Sequence, residues 1–363
     1  MCGIVGYIGA SNVEKVLMQG LDSLKYRGYD SAGVALYDNG NIKVFKAVGK
    51  LENLQNKLST LSDDEKRASM GIGHIRWATH GSATEVNAHP HLSMDGNIAI
   101  VHNGIIENYK ELKSELEAKG YVFKSQTDTE VVAYLIGDEY KKVGDLKVAV
   151  QHIIPRLKGA YALCIMCKDE GGKIVVVRKN APLVIGIGNG ENIVASDIPA
   201  IISTTSNIVY LNDDEVAVVK KDSVEIEDLN GNKIPLNIQK MSIEMDAISK
   251  MGYKHYMLKE IYEQPNIVRN LLCGRITNVN APISLDEVKI SRDALKQLSR
   301  VQIIACGTSL HAGQIGRYLI EDLVGVATEV EPASEYIYRK NTTDKNSLVI
   351  AISQSGETAD TIT

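Results

Sequence analysis

The sequence predicts two units built on different grammars. Residues 2–240 read as a layered α+β αββα sandwich, with helices covering two sheets packed face to face, and residues 291–363 as an incomplete, doubly wound α/β unit. Residues 241–290 read as a linker with a kinked helix. Three observations carry this reading. Tight-turn dipeptides join β-rich runs through the first two thirds of the chain, capping signals and apolar stripes place helices between them, and after about Ser291 the hairpins give way to strand, turn and helix in succession. The 363 residues exceed one ordinary core, and 44% hydrophobic against 23% charged residues fits folded domains rather than disorder or fibre.

The elements follow in order. Asn39-Gly40 joins the run 33–37 to 42–48, Asp95-Gly96 precedes 97–101, and Gly171-Gly172 joins 161–166 to 173–178, each implying antiparallel pairing. Tyr109, Leu112 and Leu116 form a helical stripe that ends before Gly120, and Thr127 with Glu130 has capping-box spacing ahead of a helix over 131–140. The stretch 254–275 reads as a helix that Pro265 breaks or kinks. Beyond it come a strand at 301–305, the turn Cys306-Gly-Thr-Ser309 and a helix over 313–323. A second copy starts with 348–352 and Ser353-Gln-Ser-Gly-Glu-Thr358 and stops at Thr363. This unit is expected to leave a sheet edge and apolar helix surface uncovered, and to be the less stable of the two.

A formal charge of -5, from 40 basic and 45 acidic residues, lacks the basic footprint of a nucleic-acid partner. No apolar run approaches the ~20 residues of a membrane helix, and the first residues lack the basic start of a secretory signal, so a cytoplasmic protein with no membrane partner is expected. The five cysteines are scattered and odd in number, as reduced thiols are. Cys164 and Cys167, three apart on a strand, face opposite sides and read as two packed thiols rather than a zinc or redox pair. His89-Pro-His91 lacks the flanking cysteines or helical spacing of a zinc site, so neither a metal nor a cofactor is expected.

Cys2 follows Met1. Alone it reads as a small buried hydrophobe or, once Met1 is removed, as a nucleophile beside its own α-amine, whose pKa of about 7.7–8.0 suits it to take a thiol proton of pKa about 8.5. Downstream stand Tyr26-Arg-Gly-Tyr-Asp-Ser31, His74-Ile-Arg-Trp-Ala-Thr-His-Gly81, Asn87-Ala-His-Pro-His91 and His102-Asn-Gly104. With Cys2-Gly-Ile-Val-Gly6, and in this order, they resemble the class II glutamine amidotransferases. Lys259-Glu-Ile-Tyr-Glu-Gln-Pro265 and the two Ser-rich loops extend the resemblance over the whole chain. They point to the branch of that family that carries a sugar isomerase (SIS) unit and passes ammonia to fructose 6-phosphate, making glucosamine 6-phosphate.

The resemblance implies an Ntn-hydrolase-like sandwich followed by a flavodoxin-like SIS unit. It makes Cys2 the nucleophile and Asn103 with Gly104 the oxyanion hole. Arg76 holds the α-carboxylate of glutamine and Asp128 its α-ammonium, Thr79 and His80 line the pocket, and Arg27 supports the nucleophile. Trp77 gates an ammonia passage, and Ser309, Ser353, Gln354, Ser355 and Thr358 bind the sugar phosphate. Glutamine and fructose 6-phosphate are the implied ligands, and a homodimer is one expected state. The residues alone leave other readings open: an Asn-Gly turn, a surface ion pair for Arg76, a helix-end charge for Asp128, a core anchor for Trp77, and helix caps for the hydroxyls. Because the chain stops within the first SIS unit, complete synthesis of the amino sugar is not expected of it. A non-catalytic sugar-phosphate-binding fragment and an amidotransferase with another acceptor are the rival functions.

Overall fold

A computed structural model describes residues 2–60, 68–77, 81–241, 253–272, 288, 290–340, 343–354 and 358–362, the side chains of 27, 266, 269–272 and 292 excepted. Two compact units result, Met1–Ile248 and Ser249–Thr363.

The first unit begins with β1 (Gly3–Gly9), α1 (Val13–Ser23), the hairpin β2 (Ser31–Asp38) and β3 (Asn41–Val48), α2 (Leu51–Ser59) and β4 (Met70–Arg76). Next come β5 (His91–Leu92), β6 (Ile98–Ile106), three helices α3 (Tyr109–Ala118), α4 (Asp128–Val143) and α5 (Leu146–Ile153), and the hairpin β7 (Gly159–Cys167) and β8 (Lys173–Lys179). Short strands complete it: β9 (Val184–Ile187), β10 (Glu191–Ala195), β11 (Asn207–Tyr210), β12 (Val216–Lys220), β13 (Val224–Glu227), β14 (Lys233–Ile234) and β15 (Gln239–Lys240). They form an eight-stranded sheet in the order β15-β11-β9-β10-β1-β4-β2-β3 and a seven-stranded sheet in the order β14-β13-β12-β8-β7-β6-β5. The expected hairpins are present, with Asp38 opposite Asn41, Met166 opposite Ile174, and the Ser93 N–H donating to the Ile98 carbonyl at 2.8 Å.

Alternation along the strands builds the layers. On β1, Ile4 and Ile8 enter the core between the sheets with Ile72 of β4 and Val101 of β6, whereas Val5 and Tyr7 face α1. On β6, Ile98 and Ile100 face α4 and α5 while Ala99 and Val101 face the other sheet. The result is helix, sheet, sheet, helix, as expected. Cys164 lies in the inter-sheet core and Cys167 in the core under the helices, so the two thiols occupy opposite faces. Truncating one of these buried aliphatic side chains to alanine costs about 2–5 kcal/mol.

Helix α4 starts at Asp128, three residues before the expected start, because Thr127 caps it: the Thr127 hydroxyl accepts from the Glu130 N–H at 3.4 Å. Glu130 does not return to the Thr127 N–H as a capping box would. Its carboxylate reaches further back and accepts from the N–H groups of Lys124 at 3.0 Å and Ser125 at 2.7 Å.

In the second unit, α6 (Tyr256–Leu272) continues through Pro265 despite the lost N–H, where the sequence reading places a break or kink. After α7 (Arg292–Lys296), β16 (Arg300–Ala305) leads into α8 (Gly307–Val324), β17 (Ala327–Pro332), α9 (Ala333–Tyr338), β18 (Ser347–Ile352) and α10 (Ala359–Ile362). The three strands are parallel in the order β17-β16-β18. Helix α8 begins before the expected residue 313, so Gly307, Thr308 and Ser309 form its first turn rather than a loop ahead of it. It leaves Ile315, Tyr318, Leu319 and Leu323 exposed, the uncovered apolar surface anticipated from the sequence. Among the described residues no helix is long and apolar enough to cross a membrane.

Candidate active site

Register places the nucleophile. Gly3 pairs with Ile75, so Cys2, one residue ahead of β1, stands across from Arg76 at the end of β4. The Trp77 N–H donates to Cys2 Sγ at 3.3 Å, and the half-buried thiol lies 3.6 Å from the Trp77 carbonyl. Burial pushes the thiol pKa up, against the Trp77 N–H and the Arg76 charge, which pull it down. A thiol so placed needs a base to become a nucleophile at neutral pH.

The neighbouring imidazoles are engaged elsewhere. His74 Nε2 bonds Asn103 Oδ1 at 3.0 Å, and His91 Nε2 bonds the Thr127 hydroxyl at 3.1 Å. His89 Nδ1 accepts from the His102 N–H at 3.3 Å while its Nε2 bonds the Thr129 hydroxyl at 3.2 Å. Burial drives the pKa of His74 down to about 3 and those of His89 and His91 well below the usual imidazole range, so all three are neutral. Among the described residues no group of three or more His, Cys, Asp or Glu could hold a metal ion.

On β6, Asn103 is buried and Gly104 next to it is exposed, opposite Ala162 and Tyr161. The Asn103 Nδ2 donates to the Cys2 carbonyl at 3.4 Å, placing an amide N–H group beside the nucleophile. Gly104 takes a φ of +114°, and a β carbon there would stand 2.0 Å from the Ala160 carbonyl oxygen, so no larger residue fits. Asn103-Gly104 is therefore a strand distortion at the site, not a hairpin turn.

Arg76 is 3% exposed, with Nη1 and Nη2 each 3.4 Å from the carbonyls of Ser82 and Gly81. Asp128, the first residue of α4, accepts from the Ile106 N–H at 2.8 Å and is held beneath the cleft rather than on the surface. Cys2, Arg76, Trp77, Gly104, Asp128 and Thr129 line one narrow cleft. Trp77 is 53% exposed, so the only tryptophan is a wall of this cleft and not a core anchor. A larger cavity of about 480 Å³, lined by Lys46, His91, Lys124, Glu130 and Tyr134 among others, does not include Cys2 in its lining.

Thr79, His80 and Ser355 lie outside the described residues, as does the Arg27 side chain. The sequence reading gave His74 and Thr129 no role of their own and read Thr127 only as a helix cap: their part in the site comes from partners across the sheets.

In the second unit, β16 and β18 are neighbours, with Ala305 opposite Ile352, so the loops that follow them emerge side by side. The Ser353 and Thr358 hydroxyls lie 3.2 Å apart, and Thr361 Oγ1 donates to Cys306 Sγ at 3.9 Å. The connection after β16 leads to one side of the sheet and the next returns to the other, so β16 and β18 flank the point where strand order reverses. In open α/β sheets ligands bind at such a point. Ser309 is half-buried in the first turn of α8, where N–H groups have no partner within the helix, and Gln354 is exposed.

Residues 74–203 match the family model for a glutamine amidotransferase domain, and residues 294–363 that for a SIS domain. Over 362 residues the chain is 49% identical to the glutamine–fructose-6-phosphate aminotransferase (isomerizing) of Caldanaerobacter subterraneus subsp. tengcongensis and 46% identical to that of Clostridium acetobutylicum. Each match covers 100% of this chain and 59% of the relative, so the chain spans about three fifths of the length of these relatives. Among solved structures, the glutamine phosphoribosylpyrophosphate amidotransferase of B. subtilis aligns with a TM-score of 0.54 at 24% identity, over 91% of this chain and 65% of its own. An allosteric regulatory enzyme of purine biosynthesis aligns with a TM-score of 0.55 at 22% identity, over 98% of this chain and 69% of its own. Both likenesses concern the fold alone.

Proposed function

The chain carries a class II glutamine amidotransferase domain joined to a SIS domain, and from that pairing we propose that it hydrolyses glutamine at Cys2 and supplies the ammonia for glucosamine 6-phosphate synthesis. The observation that carries the first half is the convergence of Cys2, Arg76, Gly104 and Asp128 on one cleft, with the Asn103 amide bonded to the Cys2 carbonyl. With Met1 removed, the α-amine of Cys2 takes the thiol proton. Sulfur then attacks the δ-carbonyl, the C–N bond breaks as the proton passes to departing ammonia, and water cleaves the thioester to release glutamate. The Asn103 amide and the Gly104 N–H stabilise the oxyanion, and Arg76 and Asp128 bind the α-carboxylate and α-ammonium. Thr79 and His80 complete the pocket, Arg27 supports it, and Trp77 gates the path of ammonia. Fructose 6-phosphate binds through Ser309, Ser353, Gln354, Ser355 and Thr358. Supporting this half are the paired loops at the strand-order reversal and the names of the relatives. Scattered thiols and the lack of a membrane helix among the described residues support a cytoplasmic setting.

The test is an assay of glutamate, ammonia and glucosamine 6-phosphate from glutamine, with and without fructose 6-phosphate, alongside the intact mass. Glutamate release that Cys2→Ala abolishes, from a chain lacking Met1, is the expected result. Normal hydrolysis with Met1 still attached overturns the amine as base.

A further inference from the structure

We infer that His74 is a positioning residue for the oxyanion step, donating from Nε2 to Asn103 Oδ1 and so fixing which end of the Asn103 amide faces the nucleophile. The inference rests on the amidotransferase reading above and deepens it. His74 on β4 and Asn103 on β6 project into the same inter-sheet layer, and their 3.0 Å bond crosses it beside Cys2.

Hydrogen-bond logic orients both groups. The Cys2 carbonyl can only accept, so the end of the amide that faces it at 3.4 Å must be the NH2 group. The opposite end, facing His74, is then the carbonyl oxygen, which can only accept as well. His74 must therefore carry its proton on Nε2. The ring is fully buried and neutral, so it has one proton to give, and its Nδ1 has no hydrogen-bond partner. His89 stacks on it with centroids 4.3 Å apart and planes 22° from parallel. His89 is itself tied at both nitrogens, to the His102 N–H and the Thr129 hydroxyl. The ring that holds Asn103 is thus held in turn.

The consequence is specific to a developing oxyanion. One hydrogen of the Asn103 NH2 group is directed at the Cys2 carbonyl, and the other is available to the δ-oxygen of glutamine as it becomes negative. Without the His74 donor the amide is held against a half-turn by its long 3.4 Å bond to the Cys2 carbonyl, and that half-turn would present Oδ1 to the oxyanion and replace attraction by repulsion. Loss of one oxyanion donor lowers kcat by about 100- to 1000-fold in well-studied cases, and a partial loss of orientation by less.

The experiment measures glutamine hydrolysis by the full chain for His74→Met, His74→Gln, Asn103→Ala and the double variant His74→Met/Asn103→Ala. It also measures the rate at which methyl methanethiosulfonate modifies Cys2, a sulfur-to-sulfur transfer that expels methanesulfinate and passes through no tetrahedral oxyanion at carbon. Expected are a kcat lower by roughly 10- to 100-fold in His74→Met, a glutamine KM within about twofold of the parent, and an unchanged rate of Cys2 modification. His74→Gln, whose amide N–H can reach the place of Nε2, regains most of the kcat. In the Asn103→Ala background His74→Met adds little, because its effect runs through that amide. If His74→Met does not fold, His74→Asn takes its place, since its shorter amide reaches only the position of Nδ1. Unchanged kcat, a full additional loss in the Asn103→Ala background, or a parallel fall in Cys2 modification each overturns the inference. Failure of the underlying reading looks different: Cys2→Ala and Asn103→Ala would then keep parental hydrolysis.

Discussion

Gly28 lies under the Trp77 indole: a β carbon built on it would stand 2.9 Å from Cζ3 and 3.3 Å from Cε3, at a φ of +75° that other residues rarely adopt. The Tyr26-Arg-Gly28 turn thereby sets where the only tryptophan stands. Through its backbone, that same tryptophan donates to Cys2 Sγ. A motif far from β4 in sequence thus reaches the nucleophile through one ring.

Gly28→Ala is therefore expected to push the indole and disturb the thiol together. Overpacking combined with an unfavourable φ costs about 1–3 kcal/mol. With a single tryptophan, the emission spectrum reports the displacement directly, and kcat/KM for glutamine should fall by roughly tenfold. A parental spectrum and rate in this variant would show that the contact does not set the ring.

The buried histidines give stability a definite pH dependence. His74, His89 and His91 are neutral in the fold because burial depresses their pKa values, His74 to about 3, whereas an unfolded histidine titrates near 6.5. Below about pH 6.5 the unfolded chain binds protons that the fold does not, so stability falls as pH falls, for His74 until about pH 3. Each such histidine contributes a slope of about 1.4 kcal/mol per pH unit within its window. Urea midpoints measured from pH 7.5 to 5 should drop steeply below 6.5, and His74→Gln should lessen the slope. A flat profile would contradict burial of the neutral rings.

Glu130 is expected to matter more to folding than its place on a helix suggests. Its carboxylate accepts from the Lys124 and Ser125 N–H groups, from the Ser125 hydroxyl at 2.7 Å and from the Tyr134 hydroxyl at 3.0 Å. Glu130→Ala leaves the Lys124 and Ser125 N–H groups without an acceptor, while the two hydroxyls keep the Val122 carbonyl and the Thr127 hydroxyl, and should cost about 2–4 kcal/mol, against a few tenths for an exposed glutamate. Because the same loop presents Thr127 and Asp128, the glutamine KM should rise too. Thermal unfolding with parallel kinetics checks both.

The capping signal shows how far sequence reasoning reaches. Spacing located the start of α4 near Thr127 because one hydroxyl must satisfy one early N–H, a local requirement. Where the Glu130 carboxylate goes is decided by the path of residues 124–126, which spacing does not encode. The same division holds at the site. Cys2, Arg76, Asn103, Gly104 and Asp128 carry chemistry legible from residue type and motif. The His74 and His89 rings and the Thr129 hydroxyl are defined by β4 and β6 meeting across two sheets, and no one-dimensional pattern records that meeting. The hairpins were legible because turn residues mark them, while the order β10-β1-β4-β2 was not, since it joins strands distant in sequence. Helix α8 began earlier than its apolar pattern because Gly307 to Ser309 carry no apolar side chain to announce a helix.

Arg76→Lys separates binding from chemistry. A guanidinium offers two parallel N–H donors to a carboxylate, whereas an ammonium offers a point charge on a flexible stem. The substitution keeps the positive charge near Cys2, so kcat should change little while the glutamine KM rises by about tenfold or more. An unchanged KM would remove Arg76 from the clamp, and a loss confined to kcat would place its role in the chemical step.

The hydroxyls that follow β16 and β18 in the second unit admit a direct test. Ser353 and Thr358 satisfy each other across 3.2 Å, so as helix caps alone they need no ligand. If they cradle a phosphate, fructose 6-phosphate must replace that mutual bond with two bonds to oxygen, and the SIS unit should gain hydrogen-exchange protection at β16 and β18 when the sugar phosphate is added. Ser353→Ala removes one of the two hydroxyls and should weaken binding by about tenfold, or ~1.4 kcal/mol, without changing glutamine hydrolysis. Inorganic phosphate should protect the same strands at higher concentration, because it lacks the sugar. Protection that is indifferent to both ligands, or binding that survives Ser353→Ala and Thr358→Ala together, would leave the hydroxyls as caps and move the sugar phosphate elsewhere.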